Sequence, residues 1–118
     1  MKQIKAAVIA IALAVPVLAF AQTNTPRVDQ REANQERRIE QGEASGSLTR
    51  REANRLERGQ QRVENMESRA KADGVVTRQE RAQLHRAQDR QSNRIYAQKH
   101  DRQHDYNHDG RVDRPRRR

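Results

Sequence analysis

Asp73-Gly74-Val75-Val76-Thr77-Arg78-Gln79-Glu80 reads as a helix stop followed at once by a helix start. Glycine reaches positive φ without a Cβ clash, so Gly74 can close a helix arriving from the N-terminal side. Thr77 can accept from the first free amides of the next helix, and Glu80 can reach back to complete a capping box. Ser45-Gly46-Ser47-Leu48-Thr49-Arg50-Arg51-Glu52 repeats the device 28 residues earlier. Aligned at that shift, 44–65 and 72–93 share Ala, Gly, Thr, Arg, Glu, Leu, Gln and Asn positions, an internal repeat of loop plus helix. Such punctuation predicts an all-α chain, with three helices in antiparallel succession joined by capped loops.

The periodicity places the elements. A first helix is expected from Asp29, as N-cap with Glu32 as box partner, to about residue 41, and 42–47 reads as a loop holding two glycines. A second helix is expected over 50–71, where Leu56, Val63 and Ala70 recur every seven residues and Met66 follows Val63 by three. A third should start at Arg78 and run to about residue 102, on a weaker seam of Leu84, Ala87, Gln91 and Ile95. Gly59 sits inside the second helix, where it allows a close approach or a bend.

The N-terminus is of another kind. Residues 1–21 read as a secretory signal peptide, with Lys2 and Lys5 ahead of an apolar run and Ala19-Phe20-Ala21 as the cleavage site. The expected location is therefore periplasmic or secreted. Residues 22–28 are a polar leader, 29–102 the helical domain and 103–118 a basic, flexible tail. Loss of Lys2 and Lys5 takes the net charge from +9 to +7. Beyond the signal peptide only 13 large apolar residues remain, too few for an ordinary core. Helix by local propensity with weak packing is the expectation, and a homo-oligomer would bury the thin seams better. Without cysteine there is neither a disulfide nor a lipid attachment site.

Metal chemistry concentrates in the tail. Asp105-x-Asn107-x-Asp109-Gly110-x-Val112-Asp113 resembles the first nine positions of an EF-hand calcium loop. The resemblance implies side-chain oxygens from Asp105, Asn107 and Asp109, the carbonyl of Arg111, and Asp113 directly or through water. The twelfth position holds Arg116 where the family has a bidentate Glu, so weak calcium binding is implied. The two internal loops match the same pattern only in part and read as helix caps. His100, His104 and His108 are spaced by four; on a helix His100 and His104 would share a face suited to zinc, copper or nickel, with Asp101 and Asp105 adding oxygens.

Other classes are weaker. No nucleophile–base set appears, so the chain reads as no enzyme. Nucleic acid is not expected, because aromatic stacking platforms are absent. The C-terminal arginines and the Arg86, Arg90 and Arg94 row would suit an anionic envelope surface. Leu48-Thr49-x-x-Glu52 and Val76-Thr77-x-x-Glu80 are similar to the Leu-Thr-x-x-Gln motif of stress-induced periplasmic helical chaperones. That resemblance implies a metal-independent alternative, a helical binding protein acting on a client protein. The chain as a whole resembles small, basic secreted proteins of Gram-negative bacteria, a likeness that implies no activity.

Overall fold

The computed structural model describes residues 24–114. The signal peptide expected at 1–21, and Arg116 with the last arginines, lie outside the described residues. Three helices follow one another, α1 (Pro26–Ser45), α2 (Arg50–Lys71) and α3 (Arg78–Lys99), and each packs against the other two. No helix among the described residues is long and apolar enough to cross a membrane.

The capping boxes predicted at the two turns between helices are formed. Thr49 accepts the Glu52 N–H at 3.3 Å while its own N–H donates to Glu52 Oε2 at 2.9 Å. Thr77 and Glu80 repeat this at 3.1 and 2.8 Å. Gly46 and Gly74 take φ of 75° and 82° at the turns, as a residue without Cβ can.

The first helix differs from expectation at both ends. It starts at Pro26, whose ring pre-sets the helical φ at a position needing no N–H. Thr25 is the N-cap, through its carbonyl, which accepts the Val28 and Asp29 amides. Asp29 and Glu32 are therefore not a cap and its box partner; they lie within the helix. The helix also runs through Gly42, which was expected in a loop. A Cβ there would lie 2.5 Å from Leu48 Cδ1, so the missing side chain makes the room in which Leu48 is buried. At the other end of the chain α3 stops at Lys99, short of residue 102, because His100 leaves helical geometry at φ −116°.

The core has two apolar parts. Ile39, Leu48, Ala53, Leu56 and Ile95 fill the end near the first turn. Val28, Ala70, Val76 and Leu84, with Met66 beside them, fill the opposite end. Between them the helices are laced by buried glutamines. Gln35 donates to the Gln88 carbonyl at 2.8 Å, Gln88 to that of Val28 at 3.0 Å, Gln60 to that of Glu32 at 3.1 Å, and Gln91 to that of Leu56 at 2.7 Å. An apolar-poor chain thus holds its helices together partly by side-chain bonds to neighbouring backbones.

Burial extends the repeat into α1. Val28, Leu56 and Leu84 are buried at successive shifts of 28; so are Gln35, Val63 and Gln91, and Ile39, Glu67 and Ile95. Each helix contributes the same phase of a heptad-like seam. The antiparallel order returns α3 to the end where α1 meets α2, and the tail docks there: the Asp105 N–H donates to the Gly46 carbonyl at 2.9 Å.

Candidate cation site in the tail loop

The tail folds into a loop closed on itself. Asp105 is 5% exposed. Its Oδ1 accepts the Asp109 N–H and its Oδ2 the Gly110 N–H, both at 3.0 Å. Asn107 Oδ1 accepts the Asp109 N–H at 3.1 Å, and Asp109 Oδ1 accepts the Arg111 N–H at 2.8 Å. Short Asp and Asn side chains make such bonds to amides two residues on, which fixes a tight turn. Gly110 supplies the φ of 79° that the turn requires. Asp113 closes the ring: its Oδ2 accepts the Tyr106 N–H at 2.7 Å and its N–H donates to the His104 carbonyl at 2.7 Å.

Asp105, Asn107, Asp109, Arg111 and Asp113, singled out from sequence, share this one loop, but the carboxylates of Asp105, Asp109 and Asp113 do not gather within ligand distance of one another, and Asp113 faces a separate cavity with His104 and Tyr106. Every carboxylate oxygen that accepts one amide keeps a second lone pair. Asp105, Asp109 and Gly110 also face a cavity of about 140 Å³, together with Glu43, Leu48, Arg50 and His108. Glu43 was not legible as part of this site, since it lies on α1 and only the antiparallel packing brings it across. His108 straps the loop to α1. Its Nε2 lies 3.2 Å from the Glu43 carbonyl and 3.1 Å from the Ala44 carbonyl. Carbonyls only accept, so Nε2 carries the proton. Those carbonyls belong to the last turn of α1, and that of Glu43 also accepts the Gly46 N–H.

The histidine pair is not assembled as the spacing suggested. His100 stands just past the end of α3, stacked on Tyr96 at 4.1 Å, with Nδ1 on the Tyr96 carbonyl at 2.7 Å. His104 lies beyond the helix and stacks on Tyr106 at 4.8 Å. The two imidazoles thus have no common helical face from which to hold zinc, copper or nickel.

A second acidic group lies at the opposite end of the bundle. Asp29, Glu32 and Glu67 bring carboxylate oxygens within 4.8 Å of one another. The position of Asp29 and Glu32 one turn apart on α1 was readable, but their meeting with Glu67 was not. Lys71 already serves this group, with Nζ 2.7 Å from Glu67 and 3.7 Å from Asp29. The Thr25 hydroxyl donates to Glu67 as well. Burial, then repulsion from Glu67, Glu64 and Asp29, pushes Glu32 up to about 7, against the pull of Lys71. Bonds from Lys71 and Thr25 outweigh burial at Glu67 and hold it below the usual carboxylate range.

Glu52 belongs to the first turn. Its burial, and the nearby Asp101, push its carboxyl up, although the bonds to Thr49 work the other way. It serves the cap of α2. Comparison of the chain with family models, with curated proteins and with solved structures finds no match.

Proposed function

We propose that this chain is an exported helical protein that binds calcium weakly through the loop 105–113. The observation that carries the reading is the setting of Asp105. Its backbone is anchored to Gly46, and both its oxygens are pre-oriented by the amides of Asp109 and Gly110. A first ligand held in this way loses little further freedom on meeting an ion. Asp109 faces the same cavity, and Asn107, Asp113 and the Arg111 carbonyl would have to turn toward the ion to complete the EF-hand-like set. Calcium is a hard cation that accepts such mixed oxygen ligands and leaves room for water.

The charge balance argues for low affinity. Arg50 lines the cavity and Arg111 and Arg114 stand in or beside the loop, so the local potential opposes a cation. A dissociation constant of about 10⁻⁴ to 10⁻³ M is expected, the range of extracellular modules. Glu43, across the cavity, offers a carboxylate where the twelfth position of the loop gives none.

Calorimetric titration of the chain with Ca²⁺, beside an Asp105→Asn/Asp109→Asn variant, tests the reading. Heat of binding in the parent and none in the folded variant supports it. No heat at millimolar Ca²⁺ in the parent refutes it, and the metal-independent helical binding protein then takes its place.

A further inference from the structure

Arg55, Arg58 and Arg62 of α2 and Arg94 of α3 line one groove of about 450 Å³, with Leu56 and Gln98. No carboxylate lines it. The four arginines are exposed, and none forms an ion pair or side-chain hydrogen bond with a described residue. Some arginines elsewhere in the bundle are engaged, as Arg31 is with Asp89, Arg38 with Ser92 and Arg69 with the Asn65 carbonyl, while others such as Arg86 and Arg90 are not; what sets these four apart is that they share one acid-free groove.

The lack of partners is written into the sequence. On a helix the neighbours of a side chain lie three and four residues away. For Arg58, Arg62 and Arg94 those positions hold Asn54, Arg55, Gln61, Gly59, Asn65, Met66, Arg90, Gln91, Ala97 or Gln98, or one another, and no acid. For Arg55 the only acid at that spacing is Glu52, which is buried in the Thr49 cap. A chain with 16 acidic residues thus keeps all of them from this stripe.

Packing then brings the two helices together. Gly59 faces Gln91, whose Oε1 would lie 2.3 Å from a Cβ at that position. The close approach sets Arg94, one turn beyond Gln91, across from the α2 row. Arg55 and Arg62 stand two turns apart, about 10 Å along the axis. Buried Leu56 forms an apolar base, which lowers the local dielectric and strengthens any charge contact above it.

We propose that this groove binds an anion carrying two or more phosphate groups. The planar guanidinium is weakly hydrated and matches phosphate oxygens with two parallel N–H donors. Four such forks around an acid-free groove suit a ligand with phosphates at both ends of the α2 row. A single phosphate would leave half of them repelling one another. The groove has no aromatic side chain on which a base could stack, which disfavours a nucleic acid strand. The phosphates could belong to a free oligophosphate or to lipid headgroups, and the chemistry of the groove is the same for both.

The test is titration of the full chain with sodium tripolyphosphate, and separately with phosphatidylcholine vesicles with and without phosphatidic acid. Arg62→Gln/Arg94→Gln should weaken binding about tenfold or more. The charge-matched pair Arg27→Gln/Arg78→Gln, outside the groove, should change it by less than about twofold. In the unmutated chain the guanidinium Nε–H resonances of Arg55, Arg58, Arg62 and Arg94 should shift together with tripolyphosphate. Binding of tripolyphosphate identifies a free ligand, and binding only of phosphatidic acid vesicles identifies a lipid source. Equal loss in the two variants, shifts spread over all arginines, tighter binding of an oligothymidylate of equal charge, or no binding in either arm would overturn the proposal. Calcium binding in the tail is independent of every one of these results.

Discussion

Gln88 on α3 and Val28 on α1 stand 60 residues apart and are joined by a side-chain-to-carbonyl hydrogen bond of 3.0 Å. Gln88 is fully buried, and its own carbonyl receives Gln35 in return. The bond ties α3 to α1 beside the cluster that Val28 forms with Ala70, Val76 and Leu84. Gln88→Ala should cost about 2 kcal/mol, from a cavity plus the lost bond. Gln88→Met, which keeps most of the volume, should cost less than about 1 kcal/mol. Urea unfolding followed by circular dichroism checks both, and equal losses would show that the bond, not the volume, matters.

Gly42 is required by Leu48. Alanine has the better helix propensity by about 1 kcal/mol. Yet its Cβ would stand 2.5 Å from Leu48 Cδ1 and 2.7 Å from Leu48 Cγ. Overpacking of that kind costs about 1–3 kcal/mol, so Gly42→Ala should destabilise on balance. A higher melting temperature in this variant would show that Leu48 repacks freely.

Glu32 makes stability depend on pH. Its folded value, about 7, lies above the ordinary glutamate value of 4.5. A raised carboxyl favours the fold while protonated, so its contribution is fully present below about 4.5 and is lost as pH rises through about 7. The side chain is partly solvated, so screening leaves roughly 1 kcal/mol. Glu32→Gln should therefore gain about that much at pH 8 relative to the parent and almost nothing near pH 4. Melting curves of the two chains across that range decide it, and a difference independent of pH would contradict the assignment.

His108 should control the docking of the tail. Without its bonds to the carbonyls of Glu43 and Ala44, the loop keeps its internal turns but loses a strap to α1. His108→Ala should speed exchange of the Asp105 amide about five- to tenfold, the equivalent of roughly 1 kcal/mol. Amides in the middle of α2 should exchange as before. Unchanged exchange at Asp105 would leave Gly46 as the only anchor that counts.

The capping boxes were legible because they are local. Thr49 with Glu52, and Thr77 with Glu80, meet within one turn whatever the tertiary structure. The bounds of α2 followed from them directly. The start of α1 was misread because Asp29 and Glu32 imitate a cap at helical spacing, while Pro26 and Thr25 open the helix through backbone geometry alone. Gly42 looked like a loop residue because its reason for being glycine, Leu48, contacts it from beyond the turn. Gln91 was legible on the α3 seam, but Gln35, Gln60 and Gln88 could not be read as core, since their partners are carbonyls on other helices. In the tail, the oxygen donors showed in the sequence spacing. Glu43 and the strap from His108 did not, because 62 and 65 residues separate what the bundle brings together.

The common phase of the three buried seams bears on how copies of this chain meet. Val28, Leu56 and Leu84 are equivalent positions, so each helix offers its two neighbours a similar face. A helix donated by a second molecule would fit the place of a resident one with little change in apolar contact. The turns at 46–49 and 72–77 are short, and opening either would release a whole helix for exchange. What tells one slot from another is the set of glutamine bonds, since Gln35, Gln60, Gln88 and Gln91 each seek a different carbonyl. These polar links act as an address that tells each helix, resident or donated, which slot is its own.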